Sequence, residues 1–321
     1  MTGARPASHG DVTGEYLAAR DGAGLAVGSH ELVWVTGGDA VPFLDGQLSQ
    51  DVAAMAAGSV ARSLLLEPRG KLRALLWVLR GDDRVGLVAD AGVGGVVAEQ
   101  LRRFRFRVDA EIASDERRIA VLWGQASRDV LAAADLAAGE GWAEAGDVLV
   151  AAIGVGVPRY LVAGVVDLEA AGARPIGSLA ETAVRIEAGE PVMGVDVDES
   201  TIPQETGLVA DSVSFTKGCY LGQELVARID SRGRVNRHLR GLVVRDTVLP
   251  PSGAEIFVEA DAVGRISSVG ESLELRAPVA LATVRREVEP GTEVEIRWPG
   301  GSATAEVREL PLDSFGGAPG R

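Results

Sequence analysis

Lys217-Gly218-Cys219-Tyr220-Leu221-Gly222-Gln223-Glu224 holds the only cysteine of the chain, between two glycines and beside a lysine. A thiol does its chemistry as the thiolate, which a nearby cation or a helix N-terminus favours. Leu221, Leu225, Val226 and Ile229 recur at near-helical spacing, which predicts a helix from Leu221 to Ile229. Cys219 is then expected at or just before its N-terminus, among unpaired backbone amides. On that reading Cys219 is a functional thiol with Lys217 as its cation, and Gln223 and Glu224 polarise or orient it from the first turn. Two other readings stand beside it. A free cysteine is commonly a small, inert core residue, and Glu224 at a helix start has a capping role of its own.

The remaining chemistry-bearing residues are sparse. His9, His30 and His238 show no partner pattern for a catalytic triad or a metal site. Gly22-x-Gly24-x-x-x-Gly28 and Gly92-x-Gly94-Gly95 have the wrong spacing for a dinucleotide fingerprint, and no P-loop occurs. With 32 Lys and Arg against 46 Asp and Glu, the formal charge of −14 argues against a broad phosphate-binding surface. No direct nucleic-acid binding is expected. Arg102, Arg103, Arg105 and Arg107, and Arg228, Arg232, Arg234, Arg237 and Arg240, are local exceptions, read mainly as side chains that cover apolar surface and pair with carboxylates. One cysteine excludes an intramolecular disulfide and suits a reducing compartment. The chain lacks an apolar run of about 18 residues that could span a bilayer, and its first residues lack the apolar core of a signal peptide. A cytoplasmic protein is expected, monomeric or weakly oligomeric.

At 321 residues the chain exceeds the usual reach of one core, so two or more domains are expected. Strands are predicted over 31–35, 61–66, 72–79, 84–89, 108–112, 119–123, 148–153 and 160–165, with helices over 96–104, 127–134 and 179–188. Gly81-Asp82-Asp83 joins an antiparallel pair. This is an α+β pattern with antiparallel sheets rather than a doubly wound one. From 239 to 308, six short alternating runs punctuated by Pro, Gly and Asp predict a β-barrel or sandwich. Arg232-Gly233-Arg234 reads as the linker into it.

The octet resembles the Lys-Gly-Cys-Tyr/Phe-x-Gly-Gln-Glu signature of the YgfZ folate-binding family, within the superfamily of the glycine-cleavage T-protein, an aminomethyltransferase. Arg185-Ile186-Glu187-Ala188-Gly189-Glu190-Pro191 with Ile202-Pro203-Gln204-Glu205 is similar to the superfamily's R-x-E-x-G-x-P … P-x-E stretch. Asp39 to Val52 is similar to its D-x-x-x-F-L-x-G-Q-x-(T/S)-x-D-V stretch, and Pro68-Arg69-Gly70-Lys71 to its P-x-G-K turn. The similarity spans about residues 30 to 235, with a continuation to about 310.

The polar chain ends are expected to form a disordered lead-in over 1–16 and a flexible tail over 312–321, and between them the resemblance implies a folate-binding region of two interleaved α+β units over 17–235 and a small β-barrel over 236–311. It also implies tetrahydrofolate or a derivative as cofactor, with Glu187 accepting from the pterin edge and Arg185, Gln47, Tyr220 and Arg228 around the ligand. Read by itself, Glu187 is equally a solvated carboxylate near a helix end. Where the transferase pattern carries two aspartates after the turn, this chain has Arg73 and Ala74, which cannot supply a carboxylate for acid–base work. One-carbon transfer is therefore expected to be lost and folate binding kept. The family resemblance implies an accessory role in assembling or maintaining iron–sulfur clusters in client enzymes, including enzymes that thiolate tRNA, with those clients or their assembly factors as partners. No tightly bound metal is expected. One thiolate cannot hold a four-iron cluster, which normally takes four ligands, so any contact through Cys219 is transient or shared. The alternatives are a folate-dependent one-carbon transferase and a non-catalytic folate-binding module with Cys219 inert.

Overall fold

A computed structural model describes residues 5–154, 156–233 and 235–312 of the chain. It begins with helix α1 (Val12–Arg20), strands β1 (Gly24–Val27) and β2 (His30–Thr36), and helix α2 (Ala40–Asp45). Strands β3 (Val60–Leu66), β4 (Leu72–Arg80) and β5 (Arg84–Asp90), helix α3 (Gly94–Phe104), and strands β6 (Glu111–Ser114) and β7 (Ile119–Trp123) follow. Next come helix α4 (Ser127–Ala133) and strands β8 (Trp142–Ala145), β9 (Val148–Ala152), β10 (Arg159–Ala163) and β11 (Arg174–Pro175). Helix α5 (Ser178–Glu187), a 3-10 turn at Pro203–Glu205, and helices α6 (Val209–Ser212) and α7 (Gln223–Arg232) lead to the last third. There β12 (Arg237–Val244), β13 (Glu255–Val258), β14 (Asp261–Ser272), β15 (Ala277–Arg285), β16 (Glu293–Trp298) and β17 (Gly301–Arg308) close a barrel in the order β12-β15-β14-β13-β16-β17.

The chain before the barrel forms two sheets, β3-β4-β5-β2-β6 and β11-β1-β7-β10-β9-β8. They are interleaved, because β1 pairs with β7 and β11 of the second sheet while the next strand, β2, pairs with β5 and β6 of the first. All of these pairings are antiparallel except β1 with β11. The sequence-derived α+β architecture with antiparallel sheets and a C-terminal barrel is thus the observed one.

The two sheets face each other, and strand alternation sends side chains to both sides. In β2, Leu32 and Trp34 join the central core with Val121 and Trp123 of β7 and Leu161 of β10, while Val33 and Val35 pack outward with α2 and α3. In β7, Ala120 and Leu122 turn outward to Val130 and Leu131 of α4. Strands covered on both faces read as continuous apolar runs. Helix α5 carries the barrel on its side: at Gly270 of β14 an added Cβ would lie 2.8 Å from the Ala183 Cα, so only glycine lets the helix approach so closely. No helix among the described residues is long and apolar enough to cross a membrane.

Three expectations need correction. Residues 5–16 are ordered, not a disordered lead-in. Asp11 caps α1, and the Glu15 carboxylate accepts from the Ser8 hydroxyl (2.8 Å), the His9 amide (2.6 Å) and the Gly177 amide (2.8 Å). Ser178 and Leu179 amides donate to the carbonyls of Pro6 and Ala7. A segment held by hydrogen bonds to the start of α5 has no hydropathy signal. At the other end, Leu312 donates its amide to the Glu187 carbonyl at 2.8 Å, and residues 313–321 of the expected tail lie outside the described residues. Of the expected 232–234 linker, Arg232 ends α7 and residue 234 lies outside the described residues.

Candidate functional site

The two sheets, α5 and the barrel enclose a cavity of about 490 Å³. Each sheet contributes an indole to its wall, Trp77 from β4 and Trp123 from β7. Arg62 of β3 lies 4.8 Å over the Trp77 ring, and Arg159 of β10 lies 4.6 Å over the Trp123 ring. Guanidinium planes stacked on indoles keep their charge inside a partly apolar space. Both arginines converge on Glu190, each 2.6 Å from one of its oxygens, and Arg159 also donates to the Ile153 carbonyl.

Helix α5 presents Glu181 and Arg185, one turn apart, to the same cavity. Glu181 is held by Arg5 and by the Trp123 indole N–H. Arg185 donates to Asp196 at 2.7 Å and to the Glu190 carbonyl at 3.0 Å. His30 and Asp90 are cross-strand partners of β2 and β5 on the cavity wall. Burial, with Arg159 and Arg5 nearby, pulls the His30 imidazole down to about 3, so it is neutral at pH 7. Burial lifts the Asp90 carboxyl to about 6, against the opposing effect of a 2.8 Å hydrogen bond from the Met193 amide. Among the described residues, Asp90 is the cavity carboxylate with no ion pair.

The cysteine octet builds a different place. Cys219 is exposed, three residues before Gly222, the N-cap of α7, so it stands outside the first turn rather than in it. Lys217 points away from the thiol. Its buried ammonium donates to the carbonyls of Asp45, Leu48 and Gln50 and to the Asp45 carboxylate. Leu221 donates its amide to the Gly46 carbonyl. The Pro68 to Lys71 turn packs against the start of α7: Gly70 has φ 76°, and a Cβ there would meet Leu225 Cβ at 2.7 Å and the Gly222 carbonyl at 3.0 Å. The three sequence motifs at 39–52, 68–71 and 217–224 therefore form one platform that displays an exposed thiol.

The structure separates residues that the resemblance grouped. Arg185 lines the central cavity. Glu187 does not, because two helical residues turn it about 200° from Arg185. It is fully buried, accepting from the Tyr16 hydroxyl at 2.6 Å and from Arg20 at 2.9 Å, with the Ser272 hydroxyl also bonded, and so ties α1, α5 and β14 together. Tyr220 is buried with Leu64, Leu66, Leu72 and Val226, which pushes its hydroxyl up to about 12. Gln47 sits under the octet with its side-chain oxygen buried and unpartnered. Arg228 and Glu224 are exposed on α7, and Gln223 begins that helix. None of Gln47, Tyr220, Arg228 or Cys219 lines the cavity. Of the residues that the resemblance places around folate, Arg185 lines this cavity and Glu187, Gln47, Tyr220 and Arg228 do not, and the Lys217 ammonium, expected beside the thiol, is bound instead to Asp45, Leu48 and Gln50. Arg73 is on the surface, 2.6 Å from Glu199, and Ala74 is fully buried in the outer core.

Trp77, Trp123, Arg62, Arg159 and Asp90 escaped sequence reasoning. Their one local signal is that Trp77 and Trp123 fall on the inward beat of their strands. Glu190 lies in the same R-x-E-x-G-x-P stretch as Glu187, and nothing local distinguishes the two carboxylates.

Comparison with known proteins agrees with this geometry. The Glycine cleavage T-protein C-terminal barrel domain family matches residues 237–313. The chain is 31% identical to an aminomethyltransferase of Bordetella petrii over 342 residues, covering 98% of this chain and 91% of that protein. It is 28% identical to the tRNA-modifying protein YgfZ of Cronobacter sakazakii over 300 residues, covering 87% and 90%. The crystal structure of the glycine cleavage system aminomethyltransferase T from Bartonella henselae superposes with a TM-score of 0.86 at 26% identity, covering 95% of this chain and 90% of that one. With its cysteine octet and its T-protein architecture, the chain belongs to the YgfZ family of the glycine-cleavage aminomethyltransferase superfamily.

Proposed function

We propose that this protein binds tetrahydrofolate in the central cavity and serves as an accessory factor for iron–sulfur clusters in client enzymes, with Cys219 as its point of contact and without aminomethyl transfer. The observation that carries the folate reading is Asp90. A pterin is a flat ring with an edge of N–H donors, and it suits a slot walled by indoles with one acceptor left open. Glu190 is committed to Arg62 and Arg159, and Glu181 to Arg5 and Trp123, whereas Asp90 has a single backbone amide. Asp90 therefore takes the pterin role first given to Glu187. Bound folate would supply a one-carbon carrier; the chain's own groups orient it and exclude water.

Transfer by the T-protein route would need a carboxylate where Arg73 and Ala74 stand. Arg73 is engaged with Glu199 outside the cavity and Ala74 has no polar group. The thiol is displayed rather than enclosed, which suits a contact made on a partner's surface. A reducing cytoplasm would keep it free.

Calorimetric titration with tetrahydrofolate tests the reading. Wild type is expected to bind, Glu187→Gln to bind as well as wild type, and Asp90→Ala to lose about 1.5–3 kcal/mol. Absence of binding by wild type would defeat the folate reading. Formaldehyde release from one-carbon folates in the same samples would revive a transferase.

A further inference from the structure

We infer that a cleft between the Pro68–Lys71 turn and α3 binds a free α-amino acid, its carboxylate gripped by arginines and its ammonium by the Gln100 amide oxygen together with a glutamate. The inference stands apart from the folate reading, since none of the residues that line this cleft lines the central cavity.

The cleft has a volume of about 350 Å³, at the small end of ligand sites. Glu67 and Arg69 reach it from the turn, and Glu99 and Arg103 from α3. Its charges are mixed and uncommitted. Glu99 and Arg103 stand one helical turn apart, acid before base, the order that favours an ion pair along a helix. Yet among the described residues neither of them, nor Glu67 or Arg69, has a side-chain ion pair or hydrogen bond. Arg73, which also lines the cleft, is taken by Glu199 at 2.6 Å.

Gln100 adds an acceptor that is held in place. It is only 8% exposed, and its Nε2 donates to the Leu66 carbonyl at 2.7 Å. That bond fixes the amide, which lines the cleft, and its Oε1 accepts from no donor among the described residues. A polar atom on a side chain this buried calls for a partner.

One small molecule answers all of these groups. An α-amino acid carries opposite charges on a single carbon. Its carboxylate matches the two-pronged grip of a guanidinium, and its ammonium has three N–H donors to share between the Gln100 oxygen and a carboxylate. Its side chain would lie against Phe104 and Pro68, the apolar wall of the cleft. A phosphate or a simple carboxylate would meet Glu67 and Glu99 with like charge, and a simple amine would meet the arginines. A peptide N-terminus has the ammonium without the neighbouring carboxylate. The turn also packs through Gly70 on Gly222, the N-cap of α7, so the site lies against the support of the Cys219 loop.

Saturation-transfer NMR of wild type with an equimolar mixture of the twenty encoded amino acids, followed by titration of the strongest binder, tests the inference. Acetylating the amino group of that binder, or amidating its carboxylate, should weaken it about tenfold or more. The Arg69→Gln, Arg103→Gln double variant and the Glu67→Gln, Glu99→Gln double variant should each weaken the free amino acid by a similar factor. All four side chains reach solvent, so both variants should keep the circular dichroism of wild type. Absence of any binder, equal affinity for the free form and either blocked form, or unchanged affinity in either double variant overturns the inference. None of these results bears on folate in the central cavity.

Discussion

Lys217 and Asp45, far apart in the sequence, are joined where the cysteine octet meets the end of α2: the ammonium lies 3.0 Å from the Asp45 carboxylate and 2.5 Å from the Asp45 carbonyl. The carbonyls of Leu48 and Gln50 complete its shell. Lys217 is thus a strut for the loop that carries Cys219. Lys217→Met would leave these acceptors without their donor, and a loss of about 2–4 kcal/mol in denaturant unfolding is expected. A loss below about 0.5 kcal/mol, the range of neutral surface changes, would show that the strut does not hold.

The exposed thiol makes two separate predictions. Cys219 should be alkylated in the native protein without prior unfolding, because nothing covers it. Cys219→Ser should change stability by no more than about 0.5 kcal/mol and leave tetrahydrofolate affinity as it is, since the residue lies outside the cavity. In a strain lacking the protein, the same variant should fail to restore the activity of iron–sulfur client enzymes. Full restoration would sink the proposed use of the thiol.

Glu187 is expected to matter for stability and not for the ligand. Glu187→Ala leaves Arg20 short of a buried partner and frees the Tyr16 hydroxyl, so a loss of about 3–5 kcal/mol is expected. Tyr16→Phe removes one hydrogen bond and should cost about 1–2 kcal/mol. Thermal or urea unfolding measures both. A folded Glu187 variant that has lost tetrahydrofolate affinity would restore the carboxylate to the ligand and displace Asp90 from that role.

Legibility in the sequence followed locality. Ile119–Trp123 formed over the span that alternation and turn residues predict, and the six short runs expected from 239 to 308 formed the six strands of the barrel. The strand expected over 108–112 formed instead at Glu111–Ser114, because Asp109 exchanges backbone and side-chain hydrogen bonds with Asp39 and Gly38 and is held in a loop. The cysteine octet was recognisable, yet the direction of Lys217 depends on acceptors far away in the sequence, its Asp45 contact spanning 172 positions. The cavity is likewise built from pairs such as Arg62 with Glu190 that no local pattern joins. Composition points to Glu187, Glu190 and Asp90 alike. Which of them is spent on an ion pair is decided by the packing of α5 between two sheets and a barrel.

Asp90 offers the sharpest test, because its pH dependence has opposite signs in two measurements. Its carboxyl ionises at about 6 in the folded protein against an ordinary value of 3.8. The unfolded chain therefore releases this proton first, and stability of the ligand-free protein should fall by on the order of 2–3 kcal/mol between about pH 4 and pH 6, with no further loss from this group above that window. Tetrahydrofolate binding should run the other way, since only the ionised carboxylate accepts from both donors of a pterin edge; affinity is expected to climb as pH rises through about 6. Asp90→Asn removes the titration, so both curves should lose their step near pH 6, and affinity at pH 7 should drop by roughly tenfold or more. Urea unfolding over about pH 3.5 to 8 and calorimetric titration over about pH 5 to 8, on wild type and variant, provide both curves. A binding curve whose step survives in Asp90→Asn would place the pterin contact on another group.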